Sequence, residues 1–233
     1  MKYLSTFMAI FSAFNPISTY AADSNPASHP VVLELFTSQG CSSCPPADRL
    51  VSNYADYAGV LVLSYHVDYW NYIGWKDPYS SAENTNRQRE YAAYLRSRNV
   101  YTPQAIIQGQ YDVVGSNESD LAKALDKAAK NDRWIVAKLE RLGEKISISL
   151  PVSENINAKI LLLGYQKRSI NPVPRGENAG TQLAHRNSVT SIVPLGEWKG
   201  AALNISKELP AGDGVAVLIQ SVDNGNIIGA AWL

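Results

Sequence analysis

The chain has 233 residues, 45% of them hydrophobic and 18% charged, with 21 Lys and Arg balancing 21 Asp and Glu. That composition describes a globular protein of one generous or two modest domains, neither disordered nor membranous. Zero formal net charge gives no electrostatic case for nucleic acid or an anionic membrane as a partner.

Residues 1–21 read as a cleavable secretory signal peptide. Lys2 supplies the positive end, residues 4–14 the apolar core, and Thr19-Tyr20-Ala21 the small residues a signal peptidase reads. The core is too short to span a bilayer, and no later stretch is long enough, so no membrane insertion is expected once the leader is cleaved. The expected localisation is exported, periplasmic or secreted. Residues 22–30 form a polar tether rich in Ser, Asn and Pro.

Residues 31–36 form an apolar run suited to a buried strand, followed by a turn and by Cys41-Ser42-Ser43-Cys44. Pro45 and Pro46 suit the first turn of a helix extending to about Tyr57. Residues 60–65 are a second buried strand, and strand–helix–strand with short links predicts a parallel pair. A Trp- and Tyr-rich stretch follows over residues 66–79. Ser80 with Glu83 resembles a capping box for a helix to about Arg98. Thr102-Pro103 precedes a strand over residues 104–108, and Gly109-Gln110 turns it into a second over 111–114. Asn117 or Ser119 caps a helix ending near Asn131. After Arg133 seven short runs alternate with turn residues, the pattern of an antiparallel sandwich. The expected division is therefore residues 31–132 and 133–233.

The chain has two cysteines, three positions apart. So close a pair cannot staple distant parts of a fold, and in an oxidising compartment it reads as a redox centre or half a metal site. Cys41, just ahead of a helix whose free N–H groups favour an anion, is the expected nucleophile and the better exposed thiol. Cys44, one turn in, is the resolving thiol. The competing reading is a pair of inert, partly buried thiols.

The order strand, C-x-x-C, helix, strand, helix, Thr-Pro, hairpin, helix resembles a thioredoxin fold. The implied fold class is an α/β thioredoxin-like domain followed by an all-β antiparallel sandwich-like domain. The resemblance implies a cis bond between Thr102 and Pro103, lying against the sulfurs and exposing the Thr102 backbone to an extended substrate. An ordinary trans proline at a strand start is the alternative. It also implies a proton-relay role for a buried acid on the first strand. Glu34 is the candidate, although one residue out of the usual place; a surface carboxylate is the alternative. His66 and Asp68 follow the second parallel strand and could face Cys41 to tune the thiol, or serve as hydrogen-bonded structural residues. Trp70, Tyr72, Trp75 and Tyr79 could line a substrate wall or a satellite core. So could Arg175, Glu177, Asn178, His185 and Arg186, as a lid over the thiols or a solvated loop.

The strings from Glu34 to Asp48, His66-Val67-Asp68-Tyr69-Trp70, Gly74-Trp75-Lys76-Asp77-Pro78, Tyr101-Thr102-Pro103-Gln104 and Glu177-Asn178-Ala179-Gly180 resemble a secreted bacterial group, domain-of-unknown-function family 1223. The resemblance implies a thioredoxin-like domain joined to a β-sandwich and export from a Gram-negative cytoplasm, and it implies no particular activity. The leading functional expectation is a thiol–disulfide oxidoreductase acting through Cys41 and Cys44. Its partners would be protein or small-molecule thiols and disulfides and a regenerating redox protein, and it would need no cofactor beyond the disulfide. The alternatives are a Cu(I) carrier using Cys41, Cys44 and His66, a soft ligand set, and a non-catalytic binding module.

Overall fold

The computed structural model describes residues 29–130 and 134–233. The expected signal peptide, most of the tether and the boundary at 132/133 lie outside the described residues.

The chain runs β1 (Val31–Thr37), α1 (Cys44–Tyr54), β2 (Val60–His66), a 3-10 turn (Asn71–Ile73), α2 (Ala82–Tyr94), β3 (Gln104–Ile107), β4 (Tyr111–Val114) and α3 (Glu118–Ala129). Then come β5 (Lys138–Leu142), β6 (Lys145–Leu150), β7 (Ala158–Val173), β8 (Thr181–Trp198), β9 (Leu203–Glu208), β10 (Gly214–Ser221) and β11 (Ile227–Trp232). β1 and β2 pair in parallel as expected, Val31 opposite Val60 through Thr37 opposite His66. Two helix starts are capped by side chains accepting from backbone N–H groups: Ser81, not Ser80, accepts from Asn84, and Asn117 from Asp120. The β3–β4 turn centres on Gln108 and Gly109, both with positive φ, one residue earlier than its sequence suggests.

The chain does not form the expected α/β thioredoxin-like domain followed by a separate antiparallel sandwich. It is mostly β, with one mixed eight-stranded sheet in the order β11-β10-β7-β8-β2-β1-β3-β4 and a three-stranded sheet β5-β6-β9. β8 makes the join, pairing in parallel with β2 at Ser64 and Ser188, while Asn187 Nδ2 donates to the Val62 carbonyl at 2.8 Å. The physical reason is that β2 is buried along nearly its whole length, so its outer edge needs covering. The strand that covers it comes from a hairpin much longer than the apolar runs within it.

Residue alternation shows why the sheet is covered on both faces. Val31, Leu33 and Leu35 pack with Ala47 and Val51 of α1 and Leu121 and Ala124 of α3. Val32 and Phe36 point the other way, into a core shared with Tyr91 of α2, Leu161, Leu163 and Tyr165 of β7, and Leu218 of β10. Ile160 and Leu162 of β7, with Val217 and Ile219 of β10, meet Ile146 and Ile148 of the small sheet. Strands buried on both faces read as continuous apolar runs. The far edge closes back on the near one: Ile227 N–H donates to the Gln108 carbonyl at 2.9 Å, and Gln108 Nε2 returns a bond to the Ile227 carbonyl at 2.8 Å.

Candidate functional site: a covered disulfide over a buried titratable chain

Cys41 and Cys44 are joined by a disulfide. The helix begins at Cys44, with Pro45 and Pro46 in its first turn, where a missing N–H costs nothing. The expected difference in exposure is not seen. Cys41 is 1% exposed and Cys44 0%, while Ser42 and Ser43 between them are open. The Thr102–Pro103 bond is cis. Thr102 is tied to the aromatic stretch by its Oγ1, which accepts from Trp70 Nε1 at 2.8 Å.

The β7–β8 hairpin tip, residues 174–180, holds the backbone of the motif. Asn178 Nδ2 donates to the carbonyls of Gln39 (2.9 Å) and Cys41 (3.0 Å), and Glu177 Oε2 accepts from Ser42 N–H at 3.0 Å. The Ser42 side chain, together with this backbone bond, holds the exposed Glu177 carboxyl below its ordinary range. The rest of the segment does not reach the disulfide. Arg175 is exposed, and Arg186 pairs with Asp56 at 2.6 Å on the outside of the fold.

Beneath the motif lies a buried polar chain. Gln39 N–H donates to Asp77 Oδ2 at 2.7 Å, the same oxygen lies 2.7 Å from His66 Nδ1, and Trp75 Nε1 donates to Gln39 Oε1 at 3.0 Å. Gln39 Nε2 lies 3.1 Å from His185 Nε2, and His185 Nδ1 lies 4.0 Å from Asp48 Oδ2. Neither of those last two atoms has a hydrogen-bond partner among the described residues. Asp48 shares the buried face of α1 with Cys44, Ala47 and Val51, one turn from the second cysteine.

The electrostatics follow from burial and neighbours. Desolvation pushes the Asp48 carboxyl up to about 6, against the attraction of His66. Desolvation and then the charge of His66 pull His185 down to about 3, so its ring is neutral. Burial also opposes protonation of His66, but the charge and hydrogen bond of Asp77, helped by Asp48, outweigh it and raise its pKa. Asp77 is held low in return: burial would raise it, but His66 and the N–H groups of Gln39 and Tyr79 prevail.

Glu34 and Asp68 are not brought to the disulfide. Glu34 sits on the α2 face of β1, the face opposite α1, and accepts from Arg87 Nε at 2.6 Å and from the Tyr91 hydroxyl. Arg87 lies over the rings of Tyr65 and Tyr91 and also donates to Gln220 Oε1 on β10. The acid is fully buried, not a surface carboxylate, and it ties α2 to both halves of the sheet. Asp68 is held by Thr85 of α2 through its N–H and Oδ1. His66 directs Nδ1 to Asp77 and Nε2 toward Ser188 Oγ at 3.3 Å, so both its ligating atoms are engaged away from the cysteines. Among the described residues no group of three His, Cys, Asp or Glu is arranged to hold a metal ion.

Sequence reasoning missed Gln39, Asp48, Asp77 and Ser188. Asp48 carried a usable signal: it lies four residues after Cys44, a polar residue on what becomes the apolar stripe of α1.

A family model described as "Protein of unknown function (DUF1223)" matches residues 32–220. The chain belongs to this family. The DUF1223 match takes in both cysteines, the hairpin tip and the buried chain. A crystal structure of an Agrobacterium tumefaciens protein is similar at 33% identity and a TM-score of 0.75, over 87% of this chain and 93% of that one. Two superoxide reductases are far more distant, both with a TM-score of 0.22. One, from Nanoarchaeum equitans, is 9% identical over 43% of this chain and 90% of its own. The other, in the oxidised state, is 13% identical over 45% and 89%. Likenesses so weak carry no argument. No curated protein matches the DUF1223 chain.

Proposed function

We propose that the chain is an exported thiol–disulfide oxidoreductase that exchanges its Cys41–Cys44 bond with protein or small-molecule thiols. The observation that carries this reading is the setting of the disulfide. A bond between residues three apart constrains little of the unfolded chain, so it is a poor structural staple. Yet it stands at a helix start over a buried acid and two histidines.

A substrate thiolate attacks Sγ of Cys41, the S–S bond breaks, and Cys44 leaves as a thiolate. Asp48, protonated below about pH 6 and one helical turn away, is the acid best placed to hand Cys44 a proton. A second substrate thiolate attacks the substrate sulfur of the mixed disulfide and frees Cys41. The substrate dithiol thus gives up two electrons and two protons and leaves as a disulfide. The reverse steps reduce a substrate disulfide, the direction being set by the potential of the pair, and a partner redox protein restores it.

The test is the reduction potential of the pair with the thiol pKa of Cys41, with Cys41→Ser as control. A potential between about −210 and −120 mV with a depressed thiol pKa supports exchange. A potential below about −300 mV with an unreactive pair overturns it in favour of a static disulfide.

A further inference from the structure

The tip of the β7–β8 hairpin grips one peptide unit of the motif at both polar ends. Asn178 donates to the Cys41 carbonyl, and Glu177 accepts from the Ser42 N–H of the same peptide. The tip is further seated by Gly176, whose position leaves 3.4 Å between an added Cβ and the Trp75 side chain. The cysteines whose backbone it holds are essentially closed to solvent. Attack on a disulfide runs nearly along the S–S axis and needs open space at Sγ. A small thiol needs a brief widening around the sulfurs, whereas a thiol borne on a polypeptide brings backbone on both sides and must displace the tip. Glu177 is exposed and bonds to the motif through its carboxylate, so the grip can be lost without disturbing a core.

We infer that Glu177 and Asn178 form a latch over the disulfide that discriminates between small thiols and polypeptide thiols. The inference rests on the exchange reading above and names what regulates access to that site. Each latch residue holds the closed state with one or two hydrogen bonds. Loss of either therefore favours the open state by roughly tenfold.

The experiment follows reduction of the oxidised full chain under second-order conditions with two probes, dithiothreitol and an unstructured peptide bearing two cysteines. Glu177→Ala and Asn178→Ala are compared with wild type, and Glu177→Gln, which keeps an acceptor oxygen for Ser42, is the conservative rescue. The expected result is a roughly tenfold faster reaction with the peptide in both alanine variants, little change with dithiothreitol, and a rate near wild type for Glu177→Gln. Should Asn178→Ala fail to fold, the exposed Glu177 variants carry the comparison alone. Equal acceleration with both probes, or none with either while dithiothreitol reduces the wild type normally, overturns the latch and leaves the exchange reading standing. A pair that neither probe reduces in any variant overturns both.

Discussion

Asp48 and His185 face each other at 4.0 Å, and the fold moves a proton between them. In the unfolded chain the aspartate titrates at 3.8 and the histidine at 6.5; in the fold they move to about 6 and about 3. Between about pH 4.5 and 6 the unfolded chain therefore protonates the histidine, whereas the folded chain protonates the aspartate. The raised acid loses stability as pH rises through this window, because the folded form holds the extra proton. The depressed histidine loses stability as pH falls, because the unfolded form does. Each slope is about 1.4 kcal/mol per pH unit, and in the wild type they cancel. Asp48→Asn removes the first slope, so its stability should fall by about 2 kcal/mol on going from pH 6 to 4.5. His185→Asn removes the second, and its stability should fall by a similar amount in the opposite direction, from pH 4.5 to 6. The other buried pair stays out of the window. The raised His66 contributes stability that is lost only as pH climbs above 6.5, and the depressed Asp77 contributes stability lost only below 3.8. Urea denaturation of the oxidised protein at three pH values and constant ionic strength measures the effect. Two variants that change with the same sign, or that run parallel to wild type, would refute the proton exchange.

Two further outcomes follow from the fold. Arg87→Met leaves Glu34 buried without its cation and should cost about 3–5 kcal/mol by denaturation, with Glu34→Leu added in the same chain restoring most of the loss. Restoration would fail if the pair mattered through anything other than compensation of charge. Gly109→Ala should cost clearly more than Gly143→Ala. Both glycines have φ near +66°, at +67 and +65, but a Cβ on Gly109 would lie 2.3 Å from the Gly225 carbonyl, whereas one on Gly143 meets nothing within 4 Å. The alanine at 143 bears just the left-handed backbone cost of about 1–2 kcal/mol, and equal losses would show that the β3–β4 turn does not press on the chain before β11.

The first half of the chain was legible because its signals are local. The parallel pair, the helix starts and the Gly-containing hairpin each follow from a few adjacent residues, and all are present with boundaries moved by a residue or a few. The hairpin of β7 and β8 was not legible. Residues 159–166 and 182–193 read as short strands, but Lys167, Arg168 and Asn171 read as loop, so the full length of β7 and its pairing with β8 did not show. His185, Arg186 and Asn187 of β8 find their partners more than a hundred residues away in sequence, at Gln39, Asp56 and the Val62 carbonyl, and no periodicity shows that. The same limit explains the misplaced acid. Glu34 lies on the first strand, but alternation turns it toward α2, where Arg87 completes it. The buried acid beneath the motif is Asp48, supplied by the helix itself.

Long-range assembly also sets what kind of unit this site is. Gln39, Asp48, His66 and Asp77 come from the strands, helix and loop around the motif; Glu177, Asn178, His185 and Ser188 come from a hairpin across the sheet. Burial of Asp48 shifts its acidity, and its neighbour His185 is delivered by β8. The strand that closes the open edge of β2 is thus the strand that completes the buried polar chain and, through its tip, holds the backbone of the cysteine motif. Any change that loosens the pairing of Ser188 with Ser64 should act on edge, polar chain and motif together. The family match runs from residue 32 to 220, and so takes in both sides of that junction.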